Sequence, residues 1–171
     1  NTQHKALLIS PYFVPGNEGV AALAALVRER DAHVGVITNS LAANDVVAVH
    51  GGYANYRKDL LHTGVKLYEM RPQVTGSDSS LFGSSGASLH TKAFVVDDRY
   101  GFIGSFNIDP RSIELNTEMG VLFDDKPLAL ALREEYLRLS GAGKSYWVYL
   151  DGDGDLRWLD RVEKPPVVLE R

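Results

Sequence analysis

Two mostly apolar runs, Lys5 to Val14 and His33 to Thr38, flank an Ala-rich segment in which Val20, Leu23, Ala24 and Val27 recur at helical spacing. That order constrains the fold more than any other feature of the chain. A strand, a helix and a second strand form a crossover unit, and such units are right-handed with parallel strands in nearly every known case. Pro15 and Gly16 end the first run, and Asn17 can cap a helix that continues to Arg30. The expected class is α/β, a mixed, largely parallel sheet flanked by helices on both faces.

Further along, Val46, Val49, Tyr53, Tyr56 and Leu60 form one stripe, so 44–61 reads as a helix despite Gly51 and Gly52, whose presence suggests close backbone packing. Val65 to Met70 reads as a third strand, and Pro72 to Ser88, rich in Gly and Ser, as a mobile loop. Leu89 to Val96 and Gly101 to Asn107 read as a hairpin joined through Asp97, Asp98, Arg99 and Tyr100. A strand from Glu118 to Phe123, a helix from about Pro127 to Leu139 and an aromatic hairpin around Asp151-Gly-Asp-Gly-Asp155 complete the chain. Asp151, Asp153 and Asp155 alternate as calcium ligands would, but Leu156 stands where such a loop needs glycine, so the segment reads as a turn.

Composition narrows the function. The chain has 171 residues, 44% apolar and 23% charged, enough for one domain over 1–171 with a buried core. With 18 basic and 22 acidic residues its net charge is -4, a poor fit to a binder of nucleic-acid backbone, and no nucleic acid is expected as a partner. The absence of cysteine removes disulfides, thiol catalysis and Cys-ligated zinc. No run approaches the roughly 20 apolar residues that span a bilayer, so the chain itself is expected to be soluble. It starts at Asn1 and enters an apolar stretch almost at once, which leads us to expect more protein upstream.

The chemistry is carried by four polar residues. On strands, residues two apart share a face, so His90 and Lys92 project together and Ser105 and Asn107 do so on the next strand. A hairpin sets the pairs side by side, offering an imidazole, a cation, a hydroxyl and an amide to one anionic oxygen cluster, for which a phosphate is the natural occupant. Neutral imidazole suits attack on a phosphodiester, because it needs no deep deprotonation. Its second nitrogen needs an acceptor to fix the tautomer, and Glu118 is the candidate. Taken singly, each has an ordinary reading as a solvated strand or turn residue. Their joint spacing is what sets those readings aside.

That spacing is His90-Thr-Lys92, four residues to Asp97, six more to Gly104-Ser-Phe-Asn107, then Glu118, and it resembles the signature of the phospholipase D superfamily without a departure. The resemblance implies that His90 is a phosphohistidine nucleophile or general acid. It implies further that Lys92 and Asn107 bind phosphate oxygens, that Ser105 supports them, and that Asp97 and Gly104 are structural. Asp97 lies at odd offset from His90, which by strand geometry alone turns it away from the site. The stretches Ile9 to Gly16, Thr38 to Ala43, Ala48 to Tyr53 and Gly104 to Ser112, with Asn116-Thr-Glu118, are similar to the second half of bacterial cardiolipin synthases. Those enzymes resemble a pseudo-dimer in which one motif from each half meets at a shared site, and they transfer a phosphatidyl group between glycerophospholipids. Here one motif is present.

By that resemblance the expected partners are a glycerophospholipid substrate, an N-terminal homologous half or a second copy of the chain, and, through the full-length protein, the cytoplasmic side of the bacterial inner membrane. No metal and no cofactor is expected. His50, Tyr53 and Arg57 fall at i, i+3 and i+7 and could border a headgroup pocket; a core stripe is the slightly better reading for Tyr53, while the resemblance favours a site role for His50.

Overall fold

The computed structural model describes residues 2–43, 47–72 and 89–169, the side chains of 47–50 excepted. Strand β1 (Lys5–Ile9) leads into helix α1 (Gly16–Arg30) and then β2 (His33–Asn39), and the two strands pair in parallel as the crossover requires, Lys5 beside His33 and Ile9 beside Ile37. The helix starts without a side-chain cap: its N-cap is Pro15, and Asn17, expected as the cap, lies inside the first turn.

The helix expected over 44–61 is two. Its start lies outside the described residues, and the remainder breaks at Asn55 and Tyr56 into α2 (Val47–Ala54) and α3 (Arg57–His62). Gly52 does provide a close approach, since an added Cβ would sit 3.2 Å from both methyls of Val14. Strand β3 (Lys66–Met70) then pairs in parallel with β2. The loop expected over 72–88 lies, from 73 onward, outside the described residues.

Strands β4 (Lys92–Val96), β5 (Tyr100–Gly104) and β6 (Gly120–Asp124) extend the sheet beyond β1, with the short helix α4 (Pro110–Glu114) between β5 and β6. Helix α5 (Lys126–Leu139) crosses the sheet to β7 (Ser145–Leu150), β8 (Leu156–Asp160) and β9 (Val167–Leu169) beyond β3. The strand order is β6-β5-β4-β1-β2-β3-β7-β8-β9. A mixed sheet flanked by helices is thus what forms, but parallel pairing does not prevail. Only β1–β2 and β2–β3 are parallel; the six other neighbouring pairs are antiparallel. The turns at 97–99 and 151–155 are too short for a crossover, so the strands they join must be antiparallel.

Alternation along β2 divides the core. Val34 and Val36 join Leu60, Leu67, Val148 and Trp158 under α1 and α3, whereas Ile37 joins Leu7, Ile9, Val95, Leu132 and Tyr136 under α5. Gly35 makes room for α5: any Cβ there would collide with the Tyr136 hydroxyl. The registers Ile9–Ala93, Asn39–Met70 and Lys92–Gly104–Gly120 bring the carboxyl ends of β1, β2, β3 and β5 to one edge, together with the starts of β4 and β6. In open α/β sheets that edge is where ligands bind.

Candidate active site at the carboxyl edge of the sheet

The ladder of β4 begins at Lys92, so His90 stands two residues before it rather than on the strand expected from Leu89. Leu89 is buried among Ile9, Ile37 and Met70 and anchors the start of the motif, while His90 is exposed. Asn39, at the end of β2, donates from Nδ2 to the Leu89 carbonyl at 3.3 Å and accepts the Leu89 N–H on Oδ1 at 3.0 Å. The Lys92 ammonium donates to the His90 carbonyl at 2.8 Å. Lys92 is 8% exposed, and burial holds its pKa below the ordinary lysine range although the negative charge of Glu118 acts to raise it.

Lys92, Gly104 and Gly120 are direct cross-strand partners. Neither glycine could carry a side chain: a Cβ on Gly104 would stand 2.5 Å from the Met119 carbonyl oxygen and 2.7 Å from the Gly120 Cα, and one on Gly120 would enter the Phe102 ring. This close approach lets Ser105, just past the end of β5, meet the residues before β6. The Ser105 hydroxyl donates to Glu118 Oε2 at 2.5 Å and accepts the Met119 N–H at 2.9 Å, while its own N–H donates to the Met119 carbonyl at 2.8 Å. Asn116 Nδ2 donates to the other Glu118 oxygen at 3.2 Å. The hydrogen bond from Ser105, helped by Asn116, Ser112 and the Lys92 charge, holds the Glu118 carboxyl below its usual range. The sequence makes Glu118 the candidate acceptor for the His90 ring; its side-chain partners here are Ser105, Asn116 and Ser112, with the Lys92 charge nearby.

Asn107 is 9% exposed, and its Oδ1 has no hydrogen-bond partner among the described residues. A buried amide oxygen left so is costly unless something else pairs with the group, and the O and N of an amide are interchangeable by a flip. The next residue is held from the segment between β1 and α1: Ile108 N–H donates to Ser10 Oγ at 3.2 Å, and the Ile108 carbonyl accepts from Val14 N–H at 2.6 Å. Asp109 then caps α4, accepting from the N–H groups of Arg111 and Ser112 and from the Ser112 hydroxyl. Asp97 sits at the far end of β4 and accepts the N–H groups of Gln3, His4 and Lys5 at 2.8, 2.8 and 2.9 Å. The expectation that it turns away from the site and serves the structure fits these bonds.

The three residues weighed for a headgroup pocket fare differently. Tyr53 is 2% exposed and Arg57 7%, with the guanidinium carbon 5.0 Å from the Tyr53 ring centre and 5.3 Å from that of Trp158. Both are buried, Tyr53 in the core as its favoured reading has it and Arg57 against the Tyr53 and Trp158 rings although α2 ends between the two residues. The side chain of His50, on α2, lies outside the described residues. Sequence reasoning missed Asn39, Ser10, Ser112 and Asn116 as parts of this edge. The available signal for Asn39 was an amide ending an otherwise apolar strand.

Residues 1–140 match the family model described as cardiolipin synthase, PLD-like domain. The chain belongs to this family. It is 45% identical to cardiolipin synthase C of Escherichia coli (strain K12) over 168 residues, 96% of this chain and 35% of that protein. An uncharacterized protein of Helicobacter pylori is 35% identical over 78% of this chain and 26% of its own length. The chain thus spans about a third or less of the curated relatives it matches. Among solved structures, Nuc from Salmonella typhimurium, a phospholipase D family member, superposes with a TM-score of 0.63 at 17% identity, covering 87% of this chain and 84% of that one. Phosphatidylserine synthase of Haemophilus influenzae gives 0.56 at 20% identity, with 81% and 33% covered. Both share the PLD-like fold.

In this PLD-like domain the face that carries Lys92 continues into apolar surface. Phe94, Phe102 and Leu122 are cross-strand partners on that face, the two rings stacked at 5.6 Å, and α5 lies over the opposite face. A pocket of about 250 Å³ opens among Phe94, Phe102, Phe106, Met119 and Gly120, with Glu118 on its wall. Met119 is 82% and Leu122 75% exposed.

Proposed function

We propose that this domain is the C-terminal half of a two-motif phosphatidyltransferase that moves a phosphatidyl group between glycerophospholipids through a phosphohistidine, with cardiolipin as the product. The observation that carries the reading is the edge described above: an exposed histidine whose carbonyl accepts from a buried ammonium, a Ser105–Glu118 pair and a buried amide oxygen with no partner among the described residues. These groups suit a phosphodiester whose non-bridging oxygens need cationic and hydrogen-bonding partners. In the proposed reaction an imidazole nitrogen bonds to phosphorus as the bond to the donor glycerol oxygen breaks, and the other motif's histidine gives that oxygen its proton. The acceptor hydroxyl then loses a proton to this second histidine and displaces His90, or its counterpart, from phosphorus.

The apolar face of β4, β5 and β6 supports a homologous half as the partner. It begins beside Lys92, and the relatives are about three times as long as this chain. An exposed apolar surface next to a half-complete site is what a covering domain would use. Among the described residues no helix is long and apolar enough to cross a membrane, so contact with lipid would involve other segments or the surface of the whole protein. The assay is phosphatidyl transfer from phosphatidylglycerol vesicles by this chain alone, by the chain with the N-terminal half in trans, and by the same pair carrying His90→Ala. Transfer should need both halves and vanish with His90→Ala, since general acid assistance alone accounts for about 10² to 10⁴ in rate. Full activity of the chain alone at every concentration would refute the half-site. Activity rising with the square of concentration would favour a homodimeric phosphodiesterase instead.

A further inference from the structure

We infer that Asn39 is a positioning residue that sets the direction in which the His90 side chain leaves the backbone, an assignment that rests on the proposed role of His90. Neither Leu89 nor His90 belongs to a ladder, because β4 starts at Lys92. β1, which lies between β2 and β4, ends at Ile9. The side chain of Asn39 spans that end and does for Leu89 what a neighbouring strand would, accepting its N–H at 3.0 Å and donating to its carbonyl at 3.3 Å. Asn39 is 2% exposed, so its amide is committed to this pair of bonds and could not be rehydrated if Leu89 moved.

The consequence for His90 comes from the planarity of peptide bonds. The Leu89 carbonyl belongs to the peptide plane before the His90 Cα, and the His90 carbonyl to the plane after it. Asn39 holds the first, and Lys92, with its ammonium 2.8 Å from the His90 oxygen, holds the second. Fixing both planes fixes φ and ψ at His90, and therefore the direction of its Cα–Cβ bond. Two side chains thus aim a residue that no strand pairing aims. An aspartate is close to the same shape but, when ionised, keeps only the acceptor and turns a negative oxygen toward the Leu89 carbonyl. Protonated, it regains a donor, and burial at this position favours the protonated form.

The test uses the full-length protein with Asn39→Ala, Asn39→Asp and His90→Ala, following kcat and KM for transfer on phosphatidylglycerol vesicles, thermal unfolding, and hydrogen exchange of peptides covering 89–92. Asn39→Ala should lower kcat per folded molecule by about 10- to 100-fold, as misplacement of a reacting group by about 1 Å does. KM should stay within about threefold, and 89–92 should exchange faster. The ratio of Asn39→Asp to native kcat should rise as pH falls from 8 to 5.5, because protonation of the introduced carboxyl restores a donor to the Leu89 carbonyl. If Asn39→Ala does not fold, the pH-dependent ratio of Asn39→Asp decides. A kcat within about twofold of native in folded Asn39→Ala, or an Asn39→Asp kcat near native at every pH while 89–92 exchanges faster than native, overturns the assignment while leaving His90 in place. Activity that survives His90→Ala overturns the proposed function instead, and exchange at 89–92 then decides alone whether Asn39 holds the segment.

Discussion

Removing the Asp97 carboxylate should cost stability without touching the chemistry, although Asp97 belongs to the same sequence motif as His90 and Lys92. The carboxylate accepts three backbone N–H groups, from Gln3, His4 and Lys5, and so ties the start of β1 to the β4–β5 turn. A hydrogen bond to a charged acceptor is worth about 1.5 to 3 kcal/mol when enclosed. The donors on Gln3 and His4 face solvent and can be rehydrated, so they fall nearer about 0.5 to 1 kcal/mol each, with about 1 to 2 for the half-buried Lys5 donor. The sum for Asp97→Ala is about 2 to 4 kcal/mol, made worse by a φ of 52° that alanine tolerates poorly. An asparagine at this position would accept the same backbone angle, keeping one oxygen and losing the charge, so Asp97→Asn should lose about half as much, a fall in Tm of roughly 2 to 8 °C. Burial alone would raise the Asp97 pKa, but the three N–H groups outweigh it and hold the carboxyl below its usual range. A depressed folded value means the contribution is complete above the unfolded value of about 3.9 and is lost as pH falls through the folded one. Urea unfolding of native protein and Asp97→Asn at pH 7 and below pH 4 should therefore show a gap that narrows in acid. A gap unchanged by pH, or a kcat collapse in Asp97→Asn that is fully folded at the assay temperature, would refute the reasoning.

Gly104→Ala drives a Cβ into the Met119 carbonyl and the Gly120 backbone, so β5 and β6 must part there; denaturant melts should show about 1 to 3 kcal/mol lost, together with the transfer activity. Glu118→Gln removes the charge that raises the Lys92 pKa against burial. The alkaline limb of the pH profile of kcat/KM should move to lower pH, and an unmoved limb would show that Lys92 does not titrate in it. Leu122→Glu changes a residue 75% exposed in this domain, so the separate domain should unfold within about 0.5 kcal/mol of native. If the proposed homologous half covers this face, the same substitution should weaken association of the two halves, as analytical ultracentrifugation of the halves expressed apart would reveal, and lower the activity of the pair.

How far the sequence reveals this depends on the kind of signal each part leaves. The crossover was readable because Val34, Val36 and Ile37 form an unbroken apolar run that only a strand buried on both faces tolerates. The share of parallel pairing differs from the expectation because both hairpins join the central strands in antiparallel sense, β4 beside β1 and β7 beside β3, and a strand's neighbour is a tertiary fact that its own residues do not encode. The stripe from Val46 to Leu60 suggests one helix, with Arg57 on the same face as His50 and Tyr53. Periodicity cannot show that the chain turns at Asn55 and packs the guanidinium between Tyr53 and Trp158. The site was legible to the extent that its residues are close in sequence. Glu118 could be placed beside the hairpin, but its bonds to Ser105 and Asn116 depend on two glycines meeting across β5 and β6.

The candidate residues share a feature that explains both why the motif is so regular and why its surroundings were hidden. His90, Ser105, Asn107 and Glu118 all lie outside the ladders, before β4, after β5 and before β6. A strand end fixes direction poorly on its own, since the pleat that orients a side chain needs pairing on at least one side. Here the missing pairing is supplied by polar side chains from the parallel centre of the sheet. Asn39 at the end of β2 takes both polar groups of Leu89, and Ser10 just past the end of β1 takes the N–H of Ile108, beside Asn107. The hairpin thus carries the candidate chemistry while the crossover unit holds its two open ends in register. Regular spacing is the result, because inserting one residue between Lys92 and Gly104 would shift one motif half against anchors that belong to other strands.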